Sequence, residues 1–544
     1  MQLLMDRINN LPPFLLWCFA GDSIMGNRSL RIAALLLTAL GLSCFANADS
    51  LTVKTAQGNM HGKLVSDGRT RAFLGIPFAA PPVGDLRWKA PQPPAHWNGV
   101  RDATNFAARC AQWPIWADYI FQDPGPSEDC LYLDVYTPAV AIPAHPLPVM
   151  VWIHGGAYVA GGSSELRYSN SPLVDRGVVL VNINYRMGVF GFLASEDLRR
   201  EGGGAAGNYG LMDMVAALEW VRDNITQFGG DPHNVTIFGE SAGSFAVSTL
   251  MASPLADGLF QKAIGESGAS FGSVLGVDPV EVRAPHDQAW IESLGVKSLS
   301  EARALPTSAL IEAARKKGAV GFSPVIDGRL LTEAVPKVYA AGKQAHVPLL
   351  AGWNRDERAG TLSKDMTAEK WKAFASEHYG AHADEFLTFY PGRTDAEGVA
   401  SADAYTTDQF LGIGTWQWIE AQSKTGGAPV YRYHFELPAP PSEMHPEGKY
   451  AWHSDDLEYV FGTLDVRRGS LWRPEDRKLT EEMMGYWTNF AKTGDPNGRG
   501  LPQWPRYDRT GAVMHLDRET HASPDTTRAR YEFLLSGAAT SGER

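Results

Sequence analysis

The sequence predicts an α/β fold: a large, mostly parallel central sheet with helices on both faces and a small N-terminal antiparallel hairpin. Two patterns carry this expectation. Short, continuous apolar runs end in glycine-rich or polar loops, which is how strands buried on both faces read. Segments of helical periodicity alternate with those runs, as crossovers between parallel strands require. No stretch rich enough in Pro, Gly or Ser divides the chain after residue 48, and no internal repeat is visible. Residues 49–544 therefore read as one domain.

The first 48 residues stand apart from that domain. Arg28 and Arg31 precede an apolar stretch from Ile32 to Phe45, and Ala46-Asn47-Ala48 forms a small-x-small cleavage pattern. As a helix that stretch would span only about 21 Å, short of the roughly 30 Å hydrocarbon core of a bilayer. Residues 1–48 are expected to be an N-terminal extension and secretory signal peptide, with Met1 and Met25 both open as starts. Gly41 stands three residues before Cys44, where a lipid-attachment signal wants leucine, so no lipid anchor is assigned. The exported chain would be periplasmic or secreted, with no stable membrane anchor. Cleavage after Ala48 leaves two cysteines, Cys110 and Cys130, and export into an oxidising compartment leads to the expectation that they pair. Neither cysteine has a partner at metal-ligand spacing, so no metal is assigned.

Residues 51–64 alternate with glycine punctuation and read as the edge hairpin. Residues 65–138 are loop-rich, with Pro77, Pro81, Pro82, Pro91, Pro93 and Pro94. Buried strands are expected at 148–153, 177–184 and 234–238, and further strands at 345–352 and 430–435. Between 211 and 228, Leu211, Met214, Val215, Leu218 and Val221 share one helical face. Other helices are expected at 244–253, 367–378, 408–423 and 477–492. With 49 Lys and Arg against 61 Asp and Glu the net charge is −12, which repels phosphate backbones and argues against a nucleic-acid partner.

The strongest local signal joins the strand at 234–238 to the helix after it. Gly239-Glu240-Ser241-Ala242-Gly243 is G-x-S-x-G between strand and helix, the context in which that motif presents a nucleophile. Ser241 must sit on a sharp turn, and side chains two residues either side would collide there. The next residue, Ala242, offers a backbone N–H at a helix N-terminus, where an oxyanion is stabilised. Gly265-Glu266-Ser267-Gly268-Ala269 imitates the motif but ends in alanine, so Ser267 reads as structural. A second glycine-rich loop, His154-Gly155-Gly156-Ala157, follows the strand at 148–153, and its small residues let backbone N–H groups approach a substrate.

With these motifs in place the sequence resembles the type-B carboxylesterases, the family that also contains cholinesterases and bacterial para-nitrobenzyl esterases. The resemblance runs through FLGIPFAAPPVGDLRW at 73–88, SEDCLYLD at 127–134, NYRMGVFGF at 184–192 and GNYGLMD at 207–213. It continues through FGGDPHNVTIFGESAG at 228–243 and YWTNFAKTGDPN at 486–497. It implies an α/β-hydrolase fold and cofactor-free hydrolysis of small-molecule carboxylic esters through an acyl-enzyme on Ser241. It further implies Glu357 as the triad acid, in GWNRDER at 352–358, and His453 as the base, in AWHSDDLEYVFG at 451–462. Arg358 stands where the family usually has glycine. Asp356 is the alternative carboxylate, and His445 is read as a solvated histidine. The family's oxyanion donors fall on Gly156, Ala157 and Ala242, and its first disulfide on Cys110 and Cys130. That loop holds Trp113 and Trp116, read as an apolar gorge wall, with a cation–π site as the alternative. The rival readings are a lipase and a non-catalytic, cholinesterase-like binding protein. Oligomeric state has no sequence signal.

Overall fold

The computed structural model describes residues 51–139, 145–169, 171–272, 274–318, 321–442, 446–467 and 469–539. The expected leader at 1–48 lies outside them, as does His445. From Val53 onward the chain forms one compact unit.

Eleven strands among the described residues build the central sheet. They are β1 (Lys63–Val65), β2 (Thr70–Pro77), β3 (Tyr132–Pro138), β4 (Leu147–Ile153), β5 (Val179–Ile183), β6 (Gly230–Glu240), β7 (Lys262–Glu266), β8 (Leu349–Asn354), β9 (Val430–Phe435), β10 (Ala512–Leu516) and β11 (His521–Pro524). Their spatial order is β11-β10-β9-β8-β7-β6-β4-β5-β3-β2-β1. From β5 through β4 to β10 neighbouring strands run parallel. The pairings at the two ends are antiparallel.

The apolar runs read as two-faced strands because each face meets its own core. In β4, Val149, Val151 and Ile153 enter one apolar cluster while Met150 and Trp152 enter the other. In β5, Val179, Val181 and Ile183 face the first and Leu180 the second. The first cluster is closed by α1 (Tyr209–Asn224), through Leu211, Met214 and Leu218, and by α2 (Ala242–Met251), through Phe245 and Ala246. The second is closed by α3 (Pro474–Thr493), through Leu479, Met483, Tyr486, Trp487 and Phe490. Trp152 lies at the centre of that second layer, with ring centroids 4.8 Å from both Phe238 and Phe461. Truncating such a side chain typically costs about 3–5 kcal/mol.

Strand β4 has β5 on one side and β6 on the other, so the chain reverses its winding direction there. A crevice opens beyond the C-terminal ends of strands at such a reversal, and open α/β sheets bind ligands in it.

The structure refines four expectations. The stretch at 51–64 is divided: Thr52–Lys54 and Asn59–His61 join Val100–Asp102 in a separate three-stranded sheet, while Lys63–Val65 forms the edge of the large one. The segment at 65–138 contains β2 and β3. Both were masked by polar or glycine interruptions. Gly75 at φ 65° makes a bulge in β2, its N–H donating to Asp134 Oδ1 of β3 at 2.8 Å, and burial raises the Asp134 pKa to about 7. The strand expected at 345–352 is displaced to Leu349–Asn354. The helix expected at 408–423 opens with a π-helical turn, Asp408–Gly412, before continuing as Ile413–Thr425. Among the described residues, no helix is long and apolar enough to cross a membrane.

Candidate active site

Ser241 sits between the end of β6 and the start of α2 with φ 54° and ψ −123°. Such a backbone costs a non-glycine residue roughly 1–3 kcal/mol and persists only where the surroundings impose it. Here the Ser241 N–H donates to the Glu266 carbonyl at 2.8 Å, and the Ser241 carbonyl accepts from Phe245 N–H at 3.0 Å. The flanking glycines allow the close crossing. A Cβ on Gly243 would lie 2.0 Å from the Ile153 carbonyl oxygen, and one on Gly239 would lie 2.6 Å from both Ile153 O and Gly243 C. The end of β4 is thereby pressed against the serine turn. Ala242 is the first residue of α2, where backbone N–H groups have no intrahelical partner.

The other two groups come from loops after distant strands. His453 Nε2 lies 2.9 Å from Ser241 Oγ, and His453 Nδ1 lies 2.6 Å from Glu357 Oε2. Glu357 is buried, and its second oxygen accepts the Asn354 N–H at 2.8 Å, which fixes the carboxylate just past β8. The Asn354 side chain in turn donates to the Trp452 carbonyl at 2.7 Å and to Asp456 Oδ1 at 3.1 Å, tying the acid loop to the histidine loop. Asp356 reinforces the same junction: its Oδ2 accepts Ala451 N–H at 2.8 Å, and its own N–H donates to Ala451 O at 3.1 Å. It is thus a loop clamp rather than a partner of the imidazole.

A further carboxylate reaches the imidazole. Glu240 Oε1 is 3.3 Å from His453 Nε2 and accepts the Ser454 hydroxyl at 2.6 Å. Burial disfavours charge on His453, but Glu240 and then Glu357 outweigh it and raise the His453 pKa to about 9. Burial also raises the pKa of Glu240, and that of Asp456 to about 8. Above the ring, Phe410 from the π-helical turn packs edge-on at 5.6 Å, and the Arg358 guanidinium lies 4.5 Å over Phe410. Glu240, Ser454 and Phe410 were not singled out from the sequence. The variable position of G-x-S-x-G carries no signal by itself, whereas Arg358, the departure noted in the sequence, sets a guanidinium over Phe410.

The loop after β4 completes the arrangement. A Cβ on Gly155 would lie 2.7 Å from Glu240 Oε2 and 3.2 Å from Ser241 Cβ, so this backbone passes directly beside the serine. Val159 and Ala160 N–H both donate to Gly156 O, at 2.9 and 3.1 Å, folding the loop back on itself. Gly156, Ala157 and Tyr158 all have positive φ, 102°, 53° and 59°. The N–H groups of Gly156 and Ala157 donate to no other group among the described residues. His154, stacked on Tyr185 at 4.3 Å, is buried, which lowers its pKa to about 4 and keeps it neutral.

Cys110 and Cys130 form a disulfide. Within the loop they close, Trp116 is 40% exposed and packs on Tyr119 at 5.7 Å. A cavity of about 360 Å³ opens at His453, lined by Ala117, Ile120, Leu166, Arg167 and Val466 among others. Ser267 is fully buried, and its hydroxyl has no partner among the described residues. The geometry joins a serine hydroxyl, an imidazole and a carboxylate in line, beside backbone donors. That is the equipment for nucleophilic attack on a carbonyl and stabilisation of the resulting oxyanion.

Comparison with known proteins agrees with that chemistry. The family model described as "Carboxylesterase family" matches residues 49–534. A fumonisin B1 esterase of Sphingopyxis macrogoltabida is 34% identical over 490 residues, covering 88% of each chain. Carboxylesterase 1E of Mus musculus is 34% identical over 530 residues, covering 86% of this chain and 90% of its own. Among solved structures, a PNB esterase superposes with TM-score 0.75 at 35% identity, covering 89% of this chain and all of its own. A carboxylesterase of Geobacillus stearothermophilus gives TM-score 0.76 at 32% identity, covering 89% and 99%.

Proposed function

The chain belongs to the carboxylesterase family and is a carboxylic ester hydrolase with the α/β-hydrolase fold, and on that premise we propose that it works through an acyl-enzyme on Ser241 and is exported from the cytoplasm. The observation that carries the mechanism is the continuous chain of contacts from Ser241 Oγ to His453 at 2.9 Å and from His453 to Glu357 at 2.6 Å.

His453 Nε2 takes the Ser241 proton as Oγ attacks the ester carbonyl. The oxyanion that forms is held by the N–H groups of Gly156, Ala157 and Ala242, each such donor typically worth about 3 kcal/mol of transition-state stabilisation. Glu357 holds the imidazole with Nδ1–H toward it and stabilises the imidazolium. As the tetrahedral intermediate collapses, Nε2–H protonates the leaving alkoxide and the acyl group remains on Oγ. Water then enters, gives its proton to Nε2, and attacks the acyl carbonyl. Collapse releases the acid and returns the proton to Ser241.

Export is supported by the leader pattern at 25–48 and by the Cys110–Cys130 disulfide, a bond that persists in oxidising compartments. The same assignment predicts a mature N-terminus at Asp49, which N-terminal sequencing of the secreted or periplasmic fraction reads directly.

The test of catalysis is kcat/KM across p-nitrophenyl acetate, butyrate, octanoate and laurate for the wild type and Ser241→Ala. The variant is expected to lose at least about 10³-fold on every ester. More than about 1% residual activity would reject the serine assignment. A maximum at laurate would favour the lipase reading, and blank-level rates throughout would favour a binding protein.

A further inference from the structure

At the far edge of the sheet, three strands bring histidines into one row. In the parallel pairing of β9 with β10, His434 stands opposite His515. In the antiparallel pairing of β10 with β11, His515 stands opposite His521, and these two rings stack at 4.9 Å. Glu436, two residues beyond His434 and so on the same face of the strand direction, points a single oxygen between two imidazoles. His434 Nδ1 lies 2.7 Å from Glu436 Oε1, and His515 Nδ1 lies 2.6 Å from the same atom. The three side chains are about a quarter exposed, at 24%, 22% and 22%, so an ion from solvent reaches them.

The hydrogen-bond arithmetic at this oxygen is unusual. Each Nδ1···O contact needs a proton or a shared cation between two lone pairs. On its far side the His515 ring is held by Ser523, whose Oγ lies 2.8 Å from Nε2; a partner at the remote nitrogen is what orients a ligand imidazole. The guanidinium groups beside this cluster do not compete for it: Arg432 is paired with Asp525 at 2.6 Å, and Arg530 with Asp408 at 2.9 Å.

We propose that His434, Glu436 and His515 bind one divalent transition-metal ion, of the zinc class, at the sheet edge. Two imidazoles with a carboxylate suit zinc and its first-row neighbours and disfavour calcium or magnesium. The three donor atoms lie within 4.8 Å of one another. Zinc–ligand bonds of about 2.0–2.1 Å in a tetrahedron set ligand separations near 3.3 Å, so the two imidazole–carboxylate separations of 2.7 and 2.6 Å would each open by roughly 0.6–0.7 Å around an ion. Three protein ligands leave one position for water or a fourth group. The ion would pin β9 to β10, a structural role separate from the chemistry at Ser241.

The test is calorimetric titration of the tag-free mature protein with zinc chloride in chelator-treated buffer, for wild type, His515→Ala and Glu436→Gln. Hydrolysis of p-nitrophenyl acetate serves as the control for folding. The wild type is expected to bind one zinc per chain with micromolar or tighter affinity and to gain thermal stability. Each variant should bind at least tenfold more weakly and lose the zinc-dependent rise in Tm while retaining esterase activity. Cobalt(II) added to the wild type should give visible d–d absorption that zinc displaces, a readout that stands even if a variant misfolds. No zinc binding by the wild type at 100-fold excess, or equal binding by all three proteins, would overturn the assignment.

Discussion

Glu240 Oε1 lies 3.3 Å from His453 Nε2, on the same edge of the imidazole that Ser241 Oγ approaches at 2.9 Å. The base thus has a carboxylate at each nitrogen, since Glu357 holds Nδ1 at 2.6 Å. Two anions favour the imidazolium and raise the His453 pKa to about 9 against its burial. Only the neutral ring accepts the serine proton, so the acid side of the pH–rate profile should rise as His453 deprotonates. Glu240→Gln removes one anion and keeps the shape. It is expected to move the acid limb of kcat/KM toward lower pH without abolishing turnover. An unmoved limb would mean that Glu240 is not the anion that raises the His453 pKa.

Glu357 and Asp356 are adjacent acids with different work to do. Glu357 bonds the imidazole, whereas Asp356 bonds the Ala451 backbone. Glu357→Gln should therefore lower kcat by about 10³–10⁴-fold with little change in KM, because the ring loses both its orientation and its counter-charge. Asp356→Asn should cost stability, on the order of 1–3 kcal/mol for a weakened buried bond, and far less activity. Steady-state kinetics and denaturant melts of the pair separate the two roles. Equal kinetic losses would contradict the assignment of Glu357 as the acid.

The Cys110–Cys130 bridge closes a loop with a sequence separation of 20 whose Ala117 and Ile120 line the cavity at His453. In the chain-entropy model such a loop contributes about 3 kcal/mol. The double variant Cys110→Ala, Cys130→Ala should lose roughly that much in urea unfolding and show a raised KM while the triad remains assembled. An unchanged unfolding midpoint would show that packing alone holds the loop.

The fold was legible where burial is two-sided and local. Strands β4, β5 and β6 are near-continuous apolar runs because each faces two cores, and Ser241 announced itself because its turn demands glycines at fixed spacing. Legibility failed where a strand carries its own interruption, as with Gly75 in β2 and Asp134 in β3. The acid and the base could not have been chosen by spacing. His453 is 212 residues from Ser241 and 96 from Glu357 in the chain, and only the sheet brings the loops after β6, β8 and β9 to one place. The resemblance supplied those two residues. The His434–Glu436–His515 cluster was invisible for the same reason, since His515 reaches Glu436 across 79 residues through strand register.

The proposed mechanism places a covalent intermediate on Ser241. The most direct measurement is peptide mass mapping of the enzyme after reaction with diethyl p-nitrophenyl phosphate, which traps the nucleophile as a stable phosphoryl ester. One diethylphosphoryl group per chain is expected, on Ser241 in the peptide that contains Gly239-Glu240-Ser241-Ala242-Gly243, with activity lost in proportion and no label in Ser241→Ala. Stoichiometric label on another residue, such as Ser267, or full inhibition of an unlabelled Ser241, would contradict the account.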